Sequence, residues 1–322
     1  MAADAFAKSF GRYQVETSEF ILPSFAKINW NLRVLGKRPD DYHEVVTILQ
    51  MVSLHDDLAF TARPDDQLLL TCTDPDIPTD EKNLILRAAF ALRSSFASNL
   101  GANINLVKRI PVKGGLGGAS SNAAAALLGL SRLWRMEVTL SNVRKIGGDL
   151  GADVPFFFIG GRALGEGIGT NVSPLPDRLT QRLIIVSPNA TVSTRAAYSA
   201  LDASSLTSAT SVSILASSSA EPVLSDCDQW PLHNDFEAVI FEIEPEIKRA
   251  REALLEAGAR GALMAGSGSS VFGIFSTEEA RLRALENLRS ETGWRIFSCD
   301  TLSRNEYFQA MGSCDTSALT LF

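Results

Sequence analysis

The chain has 322 residues, 45% hydrophobic and 21% charged, a composition that suits a globular protein of one large domain or two ordinary ones. Its formal net charge of −7 argues against non-specific binding to nucleic acid or anionic membranes, but leaves room for a local basic pocket. Cys72, Cys227, Cys299 and Cys314 lie far apart, as do His43, His55 and His233, so no zinc-ligand spacing is present. The opening MAADAFAKSFGRYQVE lacks an apolar signal core and no run approaches membrane-spanning length, so the expected compartment is the cytoplasm.

Residues 1–17 are polar and mixed, as in an extension outside the fold. From Phe20 to Phe60, apolar and polar residues alternate in two runs separated by RPDD, which predicts two strands and a turn. QLLLTCT at 67–73 and NINLVKRI at 103–110 read as further strands, with NLILRAAFALRSSF between them at helical spacing. A glycine-rich stretch then opens a helix running to about Trp134, and a further helix is expected to end near Gly147. VPFFF after Asp153 reads as a strongly apolar strand.

After LIIVSP at 183–188 the composition shifts, and the serine-rich segment 203–220 reads as a loop or surface insertion. EIEPEIKRAREALLEAG predicts one amphipathic helix stopped by Gly258. GALMAGSGSSVFGIF predicts a hairpin, and EEARLRALENLRSE another helix. The order is that of an α+β protein. Expected divisions are an N-terminal domain over 18–178, a C-terminal domain over 179–310 and a tail over 311–322.

The stretch PVKGGLGGASSNAAAALLGL, residues 111–130, carries the first chemical signal. A helix start leaves amides without intrahelical partners at the positive end of the dipole, and upstream glycines let a ligand approach the backbone. Ser120, Ser121 and Asn122 would add donors at the cap, making an anion site suited to phosphate. No lysine follows the glycines as a Walker loop requires. Gly115 and Gly117 begin a Rossmann fingerprint, but Ser120 stands in the final glycine position. Taken alone, the loop leaves open a phosphate, a dinucleotide or a close-packed turn.

PSFAKINWNLRVLGKRPDDYHEVVTILQ at 23–50, PVKGGLGGASSNAA at 111–124 and LMAGSGSSVFGIF at 263–275 together resemble the three ordered motifs of the GHMP kinases, which phosphorylate small-molecule alcohols. The resemblance spans roughly residues 20–310. It implies a ribosomal protein S5 domain 2-like N-terminal domain, a ferredoxin-like C-terminal domain and ATP carried with Mg²⁺. The A-K-I-N and Y-H-E sequences are most similar to the branch whose acceptor is a cytidine diphosphate-linked polyol. A mevalonate or homoserine kinase, or a non-catalytic nucleotide sensor on the same scaffold, are the alternatives.

Lys27 and Asn29 alternate on one strand face and so can enter one site. On sequence alone, Lys27 could be an ordinary edge lysine and Asp153 a helix cap. The resemblance makes them the catalytic pair: Asp153 to orient the hydroxyl and accept its proton, Lys27 to stabilise developing charge. It likewise assigns Tyr42 and His43 to the cytosine, Tyr198 to the base's other face, and Asn29 and Thr194 to the substrate. ATP falls to Pro111, Val112, Lys113, Gly114, Gly115, Leu116, Gly117, Gly118, Ala119, Ser120, Ser121 and Asn122, with Asn83 and Lys108 near the adenosine. Gly266, Ser267, Gly268 and Ser269 would form a tight turn against phosphates and substrate, with His233, Asn234 and Asp235 as structural elements. No metal ligand is assigned, and the assembly is a monomer or homodimer.

Asp41, Lys113 and Ala119 depart from the family, standing where it usually has glycine. If positive φ is needed at Asp41, aspartate tolerates it at some cost.

Overall fold

A computed structural model describes residues 19–201, 232–312 and 320–321. The extension expected over 1–17, the serine-rich segment 203–220 and most of the 311–322 tail lie outside the described residues.

The first sheet is organised around two long strands, β1 (Phe20–Lys37) and β2 (His43–Arg63), paired antiparallel along their length. On one side β2 continues to β4 (Gly101–Val107) and then to β3 (Leu68–Cys72), which runs parallel to β4. Where β2 bends away, β6 (Arg162–Glu166) pairs with it and β7 (Asn171–Pro174) extends the ladder. A short strand, β9 (His233–Asn234), adds parallel to β1 on the other side. Three helices pack together over this sheet: α1 (Leu84–Ser95), α2 (Gly118–Leu133) and α3 (Leu140–Leu150), the last preceded by β5 (Val138–Thr139).

The second sheet is antiparallel in the order β10-β11-β8-β12, formed by β8 (Arg182–Ser187), β10 (Gly261–Met264), β11 (Val271–Phe275) and β12 (Arg295–Asp300). The helices α4 (Thr194–Ala200), α5 (Glu237–Ile243), α6 (Pro245–Glu256) and α7 (Glu278–Leu288) accompany it. A last helix, α8 (Arg304–Ala310), comes after β12 but returns to the first core: Tyr307, Phe308 and Met311 are buried there. Beyond it, β13 (Thr320–Leu321) pairs with β5.

β1 ties the halves together because its residues enter successive cores. Leu22 and Phe25 lie in the first, Ala26 and Ile28 in a middle cluster with Ile185 and Phe272, and Leu32 and Val34 in the second. The polar residues that alternate with these, Lys27, Asn29 and Asn31, are buried as well, so both faces of the strand are covered. Helix α2 is buried along 121–131, and its alanine-rich sequence lets the sheet approach closely. A Cβ on Gly129 would lie 2.5 Å from the Phe60 ring, so this position admits only glycine.

Three sequence expectations change. VPFFF is a 3-10 helix, not a strand: Pro155 sits in its first turn and all three phenylalanines are buried. The expected single helix over 242–258 is two, because Glu244 adopts φ −131 and ψ 78 before Pro245, breaking α5 from α6. The adjacent helix α3 also runs one turn beyond Gly147, to Leu150.

Candidate active site

Lys27 is central to the site and almost fully buried. Its stem runs against Gly117, where a Cβ would lie 3.0 Å from Cγ, and its ammonium lies against Gly266, where a Cβ would lie 3.2 Å from Nζ. Thus a glycine of the loop and a glycine of the third motif both make room for one lysine. Its Nζ donates to Asn29 Oδ1 at 2.8 Å and lies 3.7 Å from Asp153 Oδ2. Asn29 in turn donates to Thr47 Oγ1 at 2.7 Å, and Thr47 donates to the Asn31 carbonyl at 2.8 Å. The chain of bonds fixes the Asn29 amide so that its oxygen faces the lysine.

Asp153 begins the 3-10 helix without capping it through its side chain. Phe156, Phe157 and Phe158 anchor that helix in the first core, and Tyr307 Oη donates to the Phe157 carbonyl. A rigid apolar anchor therefore holds a partly exposed carboxylate beside Lys27.

The glycine loop joins β4 to α2. Its carbonyls are spent on protein: Leu116 accepts from Lys27 N–H at 3.0 Å, Lys113 from Ser269 N–H at 3.3 Å and Gly114 from Ser270 N–H at 3.1 Å. Gly117 caps α2 in a left-handed conformation with no side-chain bond, so the first-turn amides have no intrahelical acceptor beside the cleft. Gly115 is held at φ +73, and a Cβ there would lie 1.9 Å from the Ala265 carbonyl oxygen. The third-motif turn is thus a brace beneath the loop. Asn234 holds that turn by donating to the carbonyls of Met264 and Gly266 at 2.8 and 2.7 Å.

A cleft of about 690 Å³ is lined by Lys27, Asn29, Asn83, Lys108, residues 111–120, Asn122, Asp153, Thr194, Tyr198, Gly266 and Ser267. Other expected residues stand behind it. Ser121 does not cap the helix: Ser121 Oγ and Asn122 Oδ1 lie 2.7 and 2.6 Å from Ser24 Oγ, buried under the loop. Gly268 and Ser269 belong to the brace. Asn83 caps α1, accepting from Ile85 N–H at 2.9 Å and donating to the Pro78 carbonyl at 2.7 Å. The Lys108 side chain is buried, its ammonium 2.9 Å from the buried Asp56 carboxylate. Ala119 stands in the first turn of α2, where no positive φ is required. Asp41 takes φ 65 and Lys113 φ 56, so both do occupy left-handed backbone.

His43 and Tyr198 stack on each other, with ring centroids 4.8 Å apart and planes inclined by 24°, and of the two only Tyr198 lines the cleft. Tyr198 also meets Phe236 edge-on, while the Tyr42 ring is 60% exposed. Burial, together with the charge of Asp153, pushes the Tyr198 hydroxyl up to about 12, so it stays protonated. Burial and then the Lys37 charge push His43 down from its ordinary value. Thr194 Oγ1 and Ser267 Oγ are 3.0 Å apart, linking α4 to the third-motif turn.

Thr47, Asp56, Ser24 and the holding role of Asn234 had not been picked out from sequence. Thr47 and Asp56 sit inside ordinary strand patterns, and only the pairing of β2 with its neighbours reveals their partners. Among the described residues, no group of three or more His, Cys, Asp or Glu side chains is placed to hold a metal ion. No helix among them is long and apolar enough to cross a membrane.

Comparison with known proteins agrees with this geometry. The GHMP kinases N terminal domain matches residues 83–161 and the GHMP kinases C terminal domain residues 217–293. The chain is 40% identical to a 4-diphosphocytidyl-2-C-methyl-D-erythritol kinase of Alkaliphilus metalliredigens, covering 83% of this chain and 91% of that one. It is 39% identical to that of Solibacter usitatus, covering 89% and 90%. A crystal structure of 4-(cytidine 5'-diphospho)-2C-methyl-D-erythritol kinase superposes with a TM-score of 0.71 at 32% identity, covering 88% and 99%. Identity at this level over most of both chains, with the two-domain α/β architecture, places the chain in the 4-diphosphocytidyl-2-C-methyl-D-erythritol kinase family of the GHMP kinases.

Proposed function

We propose that the protein transfers the γ-phosphoryl group of ATP to the 2-hydroxyl of 4-diphosphocytidyl-2-C-methyl-D-erythritol, giving the 2-phosphate and ADP in the non-mevalonate route to isoprenoids. The observation that carries this reading is Lys27, threaded between glycines of two motifs and lying 3.7 Å from Asp153.

In this reading Asp153 orients the acceptor hydroxyl in line with the γ-phosphorus and takes its proton as the new P–O bond forms. Lys27 offsets charge on the attacking oxygen and the transferring phosphoryl group, with Asn29 and Thr47 holding its direction. The uncapped amides at the start of α2 receive the phosphates, while residues 111–120 wall the nucleotide and Asn83 lies toward the adenosine. Tyr42, His43 and Tyr198 supply the cytosine end and Thr194 the diphosphate. Mg²⁺ bound with ATP would neutralise phosphate charge, and the Asp153 carboxylate and Ser120 hydroxyl that line the cleft are oxygen donors of the type that would hold it.

The domains are read as ribosomal protein S5 domain 2-like and ferredoxin-like, over 18–178 and 179–310. The second assignment draws on the antiparallel four-stranded sheet packed by α6 and α7. The protein acts in the cytoplasm, as a monomer or homodimer, on water-soluble anionic reactants.

The test is an ADP-coupled assay with ATP, Mg²⁺ and a panel of the cytidine diphosphate-linked polyol, mevalonate and homoserine. Turnover with the first alone is expected. Preference for either of the others would reassign the acceptor, and binding of ATP and polyol without ADP release would indicate a sensor.

A further inference from the structure

Between the end of β4 at Val107 and the start of α2 at Gly118, the chain leaves the sheet and is not yet helix. Its polar backbone must still be satisfied. Thr73 Oγ1 accepts the Lys108 amide at 2.9 Å and Arg295 donates to the Arg109 carbonyl at 2.9 Å, while a single carboxylate takes the next two amides. Asp56 Oδ1 accepts the Arg109 and Ile110 amides, each at 2.7 Å, and lies 3.2 Å from Lys108 Nζ. Asp56 Oδ2 lies 2.9 Å from the same ammonium. The carboxylate is 0% exposed and the Lys108 side chain only 6%. Three consecutive residues are thus fastened to one carboxylate, and the next residue, Pro111, begins the glycine loop.

The electrostatics explain why a carboxylate stands there. Lys108 Nζ would lie 3.4 Å from a Cβ on Gly118, the first residue of α2. A cation at a helix start opposes the dipole, and an unpaired buried cation carries a desolvation cost besides. Asp56 offsets both. The ammonium also donates to the Ile110 carbonyl, closing the buckle on itself.

We propose that Asp56 is a positioning residue for the nucleotide end of the cleft, and that Lys108 acts by balancing Asp56, not by placing its charge on the nucleotide. The proposal rests on the reading of the cleft as an ATP site. Asp56 makes the segment 108–111 leave the sheet in one direction, which sets where residues 112–118 pass over the third-motif turn. Lys108 lines the cleft through its stem and backbone, but its charge is already spent.

A charge-cancelling cycle tests this, with steady-state kinetics in ATP and in the cytidine diphosphate-linked polyol, and melting curves for each variant. Asp56→Asn keeps an acceptor for the two amides but strands the ammonium; its KM for ATP is expected to rise about tenfold, with kcat and the polyol KM within about threefold. Asp56→Asn combined with Lys108→Met removes both charges, and its KM for ATP is expected to return to within about twofold of the wild type. Rescue of nucleotide KM by deleting a cleft-lining cation is not what a direct ligand would give. A double variant as weak for ATP as Asp56→Asn would overturn the proposal, as would a wild-type KM for ATP in Asp56→Asn. Should Asp56→Asn fail to fold, the double variant decides alone: a near-normal KM for ATP supports the positioning role, and a raised one refutes it. If the wild type prefers another alcohol, the functional reading fails while the ATP measurements still judge Asp56.

Discussion

Tyr198 lies flat against His43, although one begins β2 in the first sheet and the other belongs to α4 beside the second. The contact sets the Tyr198 ring, which lines the cleft, in direct stacking with the His43 ring. A base held between them needs ring planes about 7 Å apart, two van der Waals thicknesses, so one ring must give way on binding. Tyr198→Ala is expected to raise the polyol KM by about tenfold, the scale of one lost base–aromatic stack, while leaving the KM for ATP unchanged. Tyr198→Phe should stay within about threefold because the ring is retained. Equal losses for both variants would move the role from the ring to the hydroxyl.

The depressed His43 gives a pH dependence with a definite sign. Burial, then the Lys37 charge, disfavours the imidazolium in the folded protein, so the unfolded chain binds more protons in acid. The stability from this group is fully present above histidine's ordinary value of 6.5 and is lost as pH falls through the folded value. The polyol KM should be flat above that point and rise below it as the stacked ring becomes charged. An NMR titration of His43 with a midpoint at or above 6.5 would contradict the assignment.

Lys27 and Asp153 should govern the chemical step. Asp153→Asn is expected to lower kcat by about 10²- to 10⁴-fold, the span of general-base catalysis, with both KM values changed little. Lys27→Ala should fall as far and not add fully to Asp153→Asn, because the two groups act as one unit. Retained turnover in Asp153→Asn, measured by ADP release, would remove the carboxylate from the mechanism.

Thr47 is the test of indirect support. Thr47→Val preserves shape but takes the acceptor from Asn29 and the donor from the Asn31 carbonyl. Leaving buried polar groups unpaired costs about 1–3 kcal/mol, part of which should appear as a melting shift. Freed from Thr47, Asn29 no longer holds its oxygen toward Lys27, and kcat is expected to drop about tenfold. Thr47→Ser should restore it, since the hydroxyl is what the chain of bonds requires.

Gly115→Ala should damage the loop itself. The new methyl would meet the Ala265 carbonyl oxygen at 1.9 Å on backbone held at φ +73. Destabilisation of more than about 1 kcal/mol is expected, read by thermal melting, together with a raised KM for ATP. Wild-type melting would mean that the loop and the third-motif turn are not braced as described.

Much of this was legible in the sequence where the cause is local. The start of α2 follows from glycines leading into an alanine-rich run, and the third-motif hairpin from small residues between two apolar segments. VPFFF was misread because an unbroken apolar run carries no period, and only its burial beside α3 distinguishes a 3-10 turn from a strand. Pro245 was visible, but the surrounding helical spacing masked the break it makes. Lys27, Asp153 and the loop could be named as candidates from residue type and resemblance.

Their partners could not. Ser121 turning to Ser24, Lys108 turning to Asp56 and His43 meeting Tyr198 all join residues remote in sequence. The sequence by itself determined the helix start, the glycine-dependent turns and the apolar strands, since these depend on backbone conformations and spacings within a few residues. The tertiary structure decided which polar groups face the cleft and which are consumed beneath it. Burial forces each of them to find a hydrogen-bonding or ionic partner, and strand register and core packing determine which partner is within reach.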